Sequence, residues 1–244
     1  DIHFAVREMC DFSRVQSLPP FKDFTDDVVD AVLNEGARFC EEVLFPINHS
    51  GDAEGCTFDN GNVKTPKGFK EAYQKFVDGG WSSLSCDPVY GGQGLPESIG
   101  IVMEELTCSA NLSFGLYPGL TRGAYLAIHA FGAQEMKDKY LPKMVEGKWA
   151  GTMNLTEPHC GTDLGMLRTK AEPQSDGSYK ISGTKIFISS GEHDLTENII
   201  HLVLARTPDA PAGTRGISLF LVPKFMVDDK GNLGARNGVQ CASI

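Results

Sequence analysis

Apolar residues in the first half of the chain recur with the spacing of one helix face. Between Asp26 and Pro46 they stand three or four positions apart, at Val29, Val32, Leu33, Gly36, Cys40, Val43 and Leu44. Such spacing predicts an amphipathic helix that buries this stripe. Thr25 is a suitable N-cap, and Asp26 and Asp27 place negative charge in the first turn, where the helix dipole favours it.

Four more helices are predicted before residue 149. The first starts at Thr65-Pro66, buries one aromatic-rich face and ends at Gly79-Gly80. The next begins near Pro96, with Ile99, Val102, Met103 and Leu106 on one face. The last two cover Arg122–Phe131 and Gln134–Glu146. A proline cannot donate the helical hydrogen bond, so Pro142 predicts a kink or a break in the final helix.

The pattern after Trp149 is typical of strands. Lys180–Ser190, Ile199–Ala205 and Gly216–Val222 are rich in β-branched or aromatic residues, and Asp176-Gly177 is a hairpin signal. Helices followed by strands, without alternation, indicate an α+β fold. We therefore predict an N-terminal helical bundle over residues 1–149 and a central antiparallel β domain over residues 150–244.

Composition and charge narrow the classes of partner. The chain has 41% hydrophobic and 22% charged residues and a net charge of −10, so a globular domain is expected and nucleic acid is not. No apolar run reaches the roughly 18–20 residues needed to span a bilayer, which predicts no stable membrane insertion. The chain starts without Met and stops without a natural ending, so we expect a fragment of a longer protein.

Seven scattered cysteines form no C-x-x-C pair. A disulfide framework or a zinc module would show tighter spacing, so the pattern predicts free thiols and no metal site. Free thiols are typical of the cytoplasm or of another reducing compartment such as the mitochondrial matrix.

Two stretches carry the candidate chemistry: Met153–Asp163, which reads MNLTEPHCGTD, and Lys185–Gly191, which reads KIFISSG. The first runs from a short strand into a turn that is rich in hydroxyls and backbone donors. Thr156, Gly161 and Thr162 could form a nest for an anion or for a polar heteroaromatic edge. On the residues alone, a capped β-turn explains the same pattern.

Together, in this order and spacing, the two stretches resemble the acyl-CoA dehydrogenase family. There the first loop reads T-E-P-G-x-G-S-D, and a strand about 25 residues later reads W-I-T-N. The resemblance extends to Gly91-Gly92-Gln93-Gly94, which lacks dinucleotide-binding spacing and is interpreted as a turn, and to Glu104-Glu105-Leu106. The sequences TEPHCGTD and Gly191-Glu192-His193-Asp194 are most similar to the 3-methylmercaptopropionyl-CoA dehydrogenase branch.

This resemblance implies FAD as the cofactor. It implies that Thr156 faces the N1/C2-carbonyl side of the isoalloxazine, that Met153 and Leu155 flank the ring, and that Phe187 lies against it. Ser189 would place its hydroxyl near N5, with Ile188 between it and Phe187.

The resemblance also implies where the substrate lies. Thr162 would reach the flavin pyrophosphate and the bound CoA ester, and Gly213 would contact the CoA moiety. His159 and Cys160 replace two small residues of the family motif. His159 is either a phosphate donor or an ordinary exposed loop histidine.

The implied reaction is α,β-dehydrogenation of an acyl-CoA thioester, with electrons passing to a protein acceptor. The family has a C-terminal helical bundle and its base is a glutamate that would lie beyond residue 244, so no catalytic residue is assigned here. A homodimer or homotetramer of the full-length protein is expected.

Three other interpretations stay open. Glu104 and Glu105 are either helix-surface carboxylates or contacts to the acyl pocket. An acyl-CoA oxidase would keep the fold and deliver electrons to dioxygen. A non-catalytic family member would act as a binding or DNA-protecting protein, although the acidic charge argues against DNA.

Overall fold

The computed structural model describes residues 1–244, a helical first part followed by a β-rich second part. The helices are α1 (Ile2–Phe4), α2 (Phe12–Gln16), α3 (Asp26–Phe39), α4 (Asn48–Glu54), α5 (Phe69–Asp78), α6 (Glu97–Ala110), α7 (Leu112–Phe131) and α8 (Gln134–Val145). The strands are β1 (Thr57–Asp59), β2 (Asn62–Lys64), β3 (Trp149–Asn154), β4 (Lys170–Pro173), β5 (Tyr179–Ser182), β6 (Asn198–Ala205), β7 (Ser218–Pro223), β8 (Phe225–Val227) and β9 (Leu233–Arg236).

The predicted stripe of the first helix is buried as expected. Val29, Leu33 and Gly36 are buried on α3, and a π-helical turn over Cys40–Leu44 continues the same face with two more buried residues. On α6, Ile99 and Met103 are buried, and the helix begins directly after Pro96. The amphipathic spacing was therefore a correct guide to both helices.

Two helices begin at other residues than predicted. α5 begins at Phe69 instead of Thr65, because Gly68 takes the N-cap position at φ +91° and the Thr65 hydroxyl donates to Asp194 instead. α7 begins ten residues before Arg122, and the Asn111 side chain caps it by accepting from the amide of Phe114. Pro118 interrupts the helical pattern in the sequence, but the helix continues through it.

Pro142 does not end the last helix. α8 runs from Gln134 to Val145, with Pro142 inside its final turn. Pro142 lacks the one helical hydrogen bond that its amide would have donated. The burial of Leu141, Met144 and Val145 against the core stabilises the turn.

The main sheet has three strands in the order β3-β6-β7. β6 pairs in parallel with β3 and antiparallel with β7, while β1-β2, β4-β5 and β8-β9 form antiparallel pairs. The predicted α+β class with a mainly antiparallel β region is confirmed, and the β3-β6 pair is the one parallel exception. The hairpin predicted at Asp176-Gly177 joins β4 to β5, with Gly177 at φ +84°.

The strand predicted over Lys180–Ser190 is only partly present. It ends with β5 at Ser182, and residues 183–188 form no strand. Phe187 and Ser190 adopt positive φ values of 57° and 54°, which a strand does not allow. The amide of Ile186 pairs with the Thr156 carbonyl at 2.9 Å, so this segment follows the loop after β3 instead of a strand partner.

Helix α7 belongs to both hydrophobic cores. Phe114 lies in a core built from α3, α5 and α6, while Ala124, Tyr125 and Ile128 pack in a second core with Trp149 on β3. Gly151 of β3 permits this approach, since a Cβ there would lie 2.4 Å from the Cβ of Ala124. The Gly151 amide donates to the Thr121 hydroxyl at 3.1 Å, which fixes β3 on the helix.

None of the helices combines the length and apolar composition that a bilayer span requires. All seven cysteines are free thiols, as the spacing predicted. Burial raises the pKa of the Cys40 and Cys86 thiols to about 11, so these two are poor nucleophiles.

Candidate cofactor and substrate site

The two motif stretches lie side by side at the end of β3. The amide of Ile186 donates to the Thr156 carbonyl at 2.9 Å, and the Lys185 ammonium donates to the Leu155 carbonyl at 3.1 Å. The tertiary structure thus joins segments that are about 30 residues apart in the sequence. Residues 155–163 are called the first loop below, and residues 183–190 the second loop.

Glu157 fixes this arrangement from inside the protein. Its carboxylate accepts from the amides of Arg168 and Thr169 at 2.8 and 3.0 Å, from the Thr169 hydroxyl at 2.5 Å and from the Lys185 ammonium at 2.8 Å. Burial alone would raise the pKa of Glu157, but these donors, Lys185 foremost, lower it to about 2. The group is therefore an anion that holds both loops, and the sequence offered no direct signal for that role.

Several donors in the two loops have no protein partner. The side chains of Thr156, Thr162 and Ser189 make no hydrogen bond to another protein group, and neither does the Thr156 amide. Thr156 is half-buried, whereas Thr162 and Ser189 are exposed. Backbone and hydroxyl donors are usually satisfied in a folded protein, by water where no other partner exists. Here they are available to a polar ligand.

Phe187 presents an apolar face next to these donors. Its side chain is 86% exposed, the second highest value among the large hydrophobic residues. A positive φ is rare for a bulky residue and carries strain, and such residues concentrate at functional sites. Ile188, which follows Phe187 in the sequence, is half-buried, and so are Leu155 and Met153. The structure therefore brings the seven predicted cofactor-binding residues to two adjoining loops and the strand that precedes them.

Arg206 links the loop after Thr162 to the loop that carries Gly213, the two predicted substrate contacts. Its guanidinium donates to the carbonyls of Leu167 and Gly165, both at 2.9 Å, in the loop after Thr162. The same group donates to the carbonyl of Gly213 at 2.7 Å. Because one planar fork reaches both loops, their relative position depends on Arg206. Sequence reasoning missed this residue, which stands at the end of β6 without a motif of its own.

Gly213 has a conformation that favours glycine. Its φ is +78° and its ψ −165°, and a Cβ there would meet no atom within 4 Å. The requirement comes from the backbone, since the space beside it is open. That open side leaves room for a ligand to approach the main chain.

His159 lies at the edge of the first loop. Its Nε2 is 3.0 Å from the Met166 carbonyl and 3.5 Å from the Glu157 carboxylate, and the residue is exposed. Glu157, His159 and Cys160 each place one possible metal-ligand atom within 4.8 Å of the others. The carboxylate is already paired with the Lys185 ammonium, however, so a metal ion would meet a like charge and saturated oxygens.

Glu104 and Glu105 differ in their surroundings. Glu104 forms an ion pair with Arg122 at 2.9 Å and lines a cavity of about 70 Å³ between the helices, next to Met103 and Gly119. Glu105 is exposed. Met103 and Phe114 are buried in the hydrophobic core. Their spacing along the helices is therefore explained by helix packing.

Comparison with known proteins identifies the class. Residues 28–148 match the family model described as acyl-CoA dehydrogenase, N-terminal domain, and residues 152–241 match acyl-CoA dehydrogenase, middle domain. The chain belongs to the acyl-CoA dehydrogenase family.

Individual relatives are similar along most of the chain. It is 49% identical over all 244 residues to the 3-methylmercaptopropionyl-CoA dehydrogenase of Ruegeria pomeroyi, and it spans 42% of that protein's length. It resembles the solved butyryl-CoA dehydrogenase of Megasphaera elsdenii with a TM-score of 0.64 and 25% identity, over 82% of this chain and 49% of that one. It also resembles a chain in the structure of the electron transferring flavoprotein of Acidaminococcus fermentans, with a TM-score of 0.66 and 27% identity over 82% and 48%.

Proposed function

We propose that a protein containing this chain catalyses the FAD-dependent α,β-dehydrogenation of an acyl-CoA thioester. Family membership supports the reaction class. The observation that carries the proposal is the pairing of the first and second loops, which brings unpartnered hydroxyls and an exposed aromatic ring to one place. The chain spans less than half of its full-length relative, so the activity belongs to a protein of that length.

The residues present fit a flavin. An isoalloxazine has two apolar faces and a polar edge, and the two loops offer Phe187 with Leu155 and Met153 for a face and free donors for an edge. When bound, FAD supplies the acceptor for the β-hydride of the substrate. The similarity to an electron transferring flavoprotein chain is consistent with this cofactor.

The contribution of each loop follows from the chemistry of flavins. Thr156 would donate towards the N1/C2-carbonyl edge, where negative charge gathers on reduction. Ser189 would orient its hydroxyl near N5, with Ile188 and Phe187 shaping the ring contact. Thr162 would reach the pyrophosphate and the CoA ester.

The loop after Thr162 and the loop that carries Gly213 would hold the CoA moiety. Arg206 keeps the two loops at a fixed separation, so a ligand that contacts both meets a preformed site. Preformed contacts reduce the entropy lost on binding. Acyl-CoAs of short or medium chain length are the proposed substrates, 3-methylmercaptopropionyl-CoA among them.

We place the catalytic base outside residues 1–244. Glu157 has a pKa of about 2 and is held by four donors, so it neither reaches a substrate nor binds its proton near neutral pH. Glu104 is paired with Arg122, and the two predicted cofactor loops carry no other glutamate. A glutamate from the remaining sequence of the full-length protein would remove the α-proton.

We further propose that electrons leave to an electron transferring flavoprotein and that the full-length protein is a homodimer or homotetramer. An oxidase of the same fold would instead pass them to dioxygen. Anaerobic reduction with substrate, followed by mixing with air, distinguishes the two: slow reoxidation supports the dehydrogenase and rapid reoxidation the oxidase.

The decisive experiment compares residues 1–244 with a full-length protein in a dye-linked assay with added FAD. We expect dehydrogenation by the full-length protein only, and weak FAD binding by residues 1–244. Turnover by residues 1–244 would place the base among Glu104, Glu105 and Glu157. A full-length protein that binds FAD yet is reduced by no acyl-CoA would support the non-catalytic alternative.

A further inference from the structure

Five residues directly after the second loop join three parts of the molecule. They are Gly191–Leu195, called the connecting segment below. Leu195 is buried in the hydrophobic core of the helical part, although it belongs to the β-rich half of the sequence. A segment that begins two residues after Ser189 is therefore anchored among helices.

Asp194 makes the polar link to the helical part. Its Oδ1 accepts from the amide of Thr65 at 3.0 Å and from the Thr65 hydroxyl at 2.8 Å. Thr65 is buried, and the two residues are 129 positions apart in the sequence. Burial would raise the pKa of Asp194, but these hydrogen bonds lower it below its usual range. Hydrogen bonds to a charged acceptor are stronger than those between neutral groups, so this link is strong.

His193 lies against α7. It is 2% exposed, its Nδ1 accepts from the Leu195 amide at 3.2 Å, and its ring meets the Tyr117 ring edge-to-face at a centroid distance of 5.1 Å. Because Nδ1 is the acceptor, Nε2 carries the proton, and Nε2 is buried without a hydrogen-bond partner. Leaving a buried donor unpaired is energetically unfavourable. The folded protein nevertheless retains His193, with its unpaired Nε2 donor, at the contact with α7.

Glu192 connects the same segment to Lys224, which lies between β7 and β8, and to β9. Its buried carboxylate forms ion pairs with Lys224 and, at 3.1 Å, with Arg236 of β9. The side chains of Glu192, His193 and Asp194 thus contact three different parts of the molecule. The connecting segment cannot shift without breaking at least one of these contacts.

Both cofactor loops are consequently positioned by one helix. β3, which leads into the first loop, is fixed to α7 through the hydrogen bond between Gly151 and Thr121. The Thr121 hydroxyl in turn donates to the carbonyl of Tyr117, the residue that His193 contacts. One turn of α7 therefore sets the position of the strand before Thr156 and of the segment after Ser189.

We propose that Asp194, through Thr65, and His193, through α7, are positioning residues for the proposed dehydrogenation that hold Ser189 and its loop in register with Thr156. The inference rests on the proposed function, and neither residue is proposed to touch cofactor or substrate. A displacement of about 1 Å at a reacting group can reduce a rate about a hundredfold while binding is largely kept. The expected signature is a loss of reaction rate that exceeds the loss of affinity.

The test uses full-length protein with FAD and Asp194→Ala, which removes both hydrogen bonds. We expect the rate of flavin reduction at saturating acyl-CoA to fall about tenfold or more, with the Kd for FAD changed by less than about threefold. Asp194→Asn keeps an Oδ1 acceptor and should restore the rate to within about threefold of wild type. Asp52→Ala, at an exposed position on α4, is the matched control.

Thr65→Val tests the same link from the other side and retains the backbone hydrogen bond. It should give an intermediate rate, and His193→Ala should slow reduction in the same way as Asp194→Ala. Wild-type reduction rates in Asp194→Ala would overturn the proposal, as would FAD affinity lost in proportion to the rate. Equal rates in Asp194→Ala and Asp194→Asn would also overturn it.

A second measurement does not depend on catalysis. The amide of Ile186, within the second loop, and the amide of Gly191, directly after it, are both hydrogen-bonded. Both should exchange their hydrogens faster in Asp194→Ala than in wild type or Asp194→Asn, with or without FAD. Unchanged exchange would refute the positioning role. If acyl-CoA never reduces the flavin of the wild-type protein, the proposed function is refuted instead. The hydrogen-exchange result would still test the positioning role, because it does not depend on catalysis.

Discussion

The Glu157 carboxylate and the Lys185 ammonium lie 2.8 Å apart, and both side chains are almost fully buried. Each belongs to a different cofactor loop, so this ion pair is the internal link between them. Removing one partner from a buried pair leaves a desolvated charge and usually costs more than the pair itself contributes.

Lys185→Met should destabilise the protein by about 3–5 kcal/mol, because the Glu157 anion would stay buried without its cation. Guanidinium unfolding followed by tryptophan fluorescence measures the change. The double variant Glu157→Gln/Lys185→Met should be less destabilised than the sum of the single variants. Lys170→Met, at an exposed position on β4, is the control, and additive effects in the double variant would contradict the link.

Stability should decline as the pH falls below about 6.5. Burial, reinforced by the Lys224 charge, lowers the pKa of His193 to about 3 and that of His201 to about 4. The unfolded chain therefore binds protons at these histidines between pH 6.5 and those values while the folded chain does not, which favours unfolding. For His201 the loss is on the order of 3 kcal/mol between pH 6.5 and pH 4.

His201→Gln should flatten this acid decline, whereas His49→Gln on the exposed side of α4 should not. Denaturant midpoints measured from pH 7 to pH 4 give the comparison. Glu157 adds a further loss at lower pH: its pKa is about 2 when folded and 4.5 when unfolded, so its stabilisation disappears as the pH falls from 4.5 towards 2. An identical pH profile of stability for His201→Gln and wild type would exclude His201 as a cause of the acid decline.

Thr156→Ala in the full-length protein should keep the fold and lower the midpoint potential of the flavin. The lost donor would stabilise the reduced cofactor, which carries more negative charge, more than the oxidised one. A spectroelectrochemical titration measures the potential, with Thr184→Ala in the exposed part of the second loop as control. A potential equal to or above that of wild type, with flavin bound, would remove Thr156 from this role.

Ser189→Ala should slow the reduction of flavin by acyl-CoA more than it weakens binding of the CoA ester. The proposed contact matters most when N5 receives hydride, so the effect should fall on the rate constant. Stopped-flow reduction across a range of substrate concentrations separates the two quantities. Wild-type rates in Ser189→Ala, with Ser218→Ala measured alongside, would exclude the contact.

Arg206→Lys should weaken binding of a CoA ester by about tenfold, since an ammonium cannot bridge carbonyls of both substrate loops as the planar guanidinium does. Isothermal titration with a non-reactive CoA thioether measures the affinity. Arg168→Lys is the matched control, because the Arg168 side chain is exposed and makes no hydrogen bond. Unchanged affinity in Arg206→Lys would show that the loops hold their positions without it.

The amino-acid pattern alone was enough to predict the helices with unbroken periodicity and the order of helices and strands. Val29, Leu33 and Ile99 are buried because a period near 3.6 leaves a helix one face to bury, and this depends only on neighbours along the chain. The family resemblance likewise followed from contiguous motifs. The residues named there as cofactor contacts lie on β3 and on the two paired loops, and their roles stay predictions.

Features that depend on distant partners could be seen only in the folded molecule. Phe187 leaves the predicted strand because the amide of Ile186 pairs with Thr156, and Thr65 fails to cap α5 because its hydroxyl is bonded to Asp194. Glu157 and Arg206 have no distinctive spacing, yet each joins segments of the chain that are far apart in sequence. Hydrogen bonds between such segments form only when the whole chain has folded, so local pattern could not have revealed them.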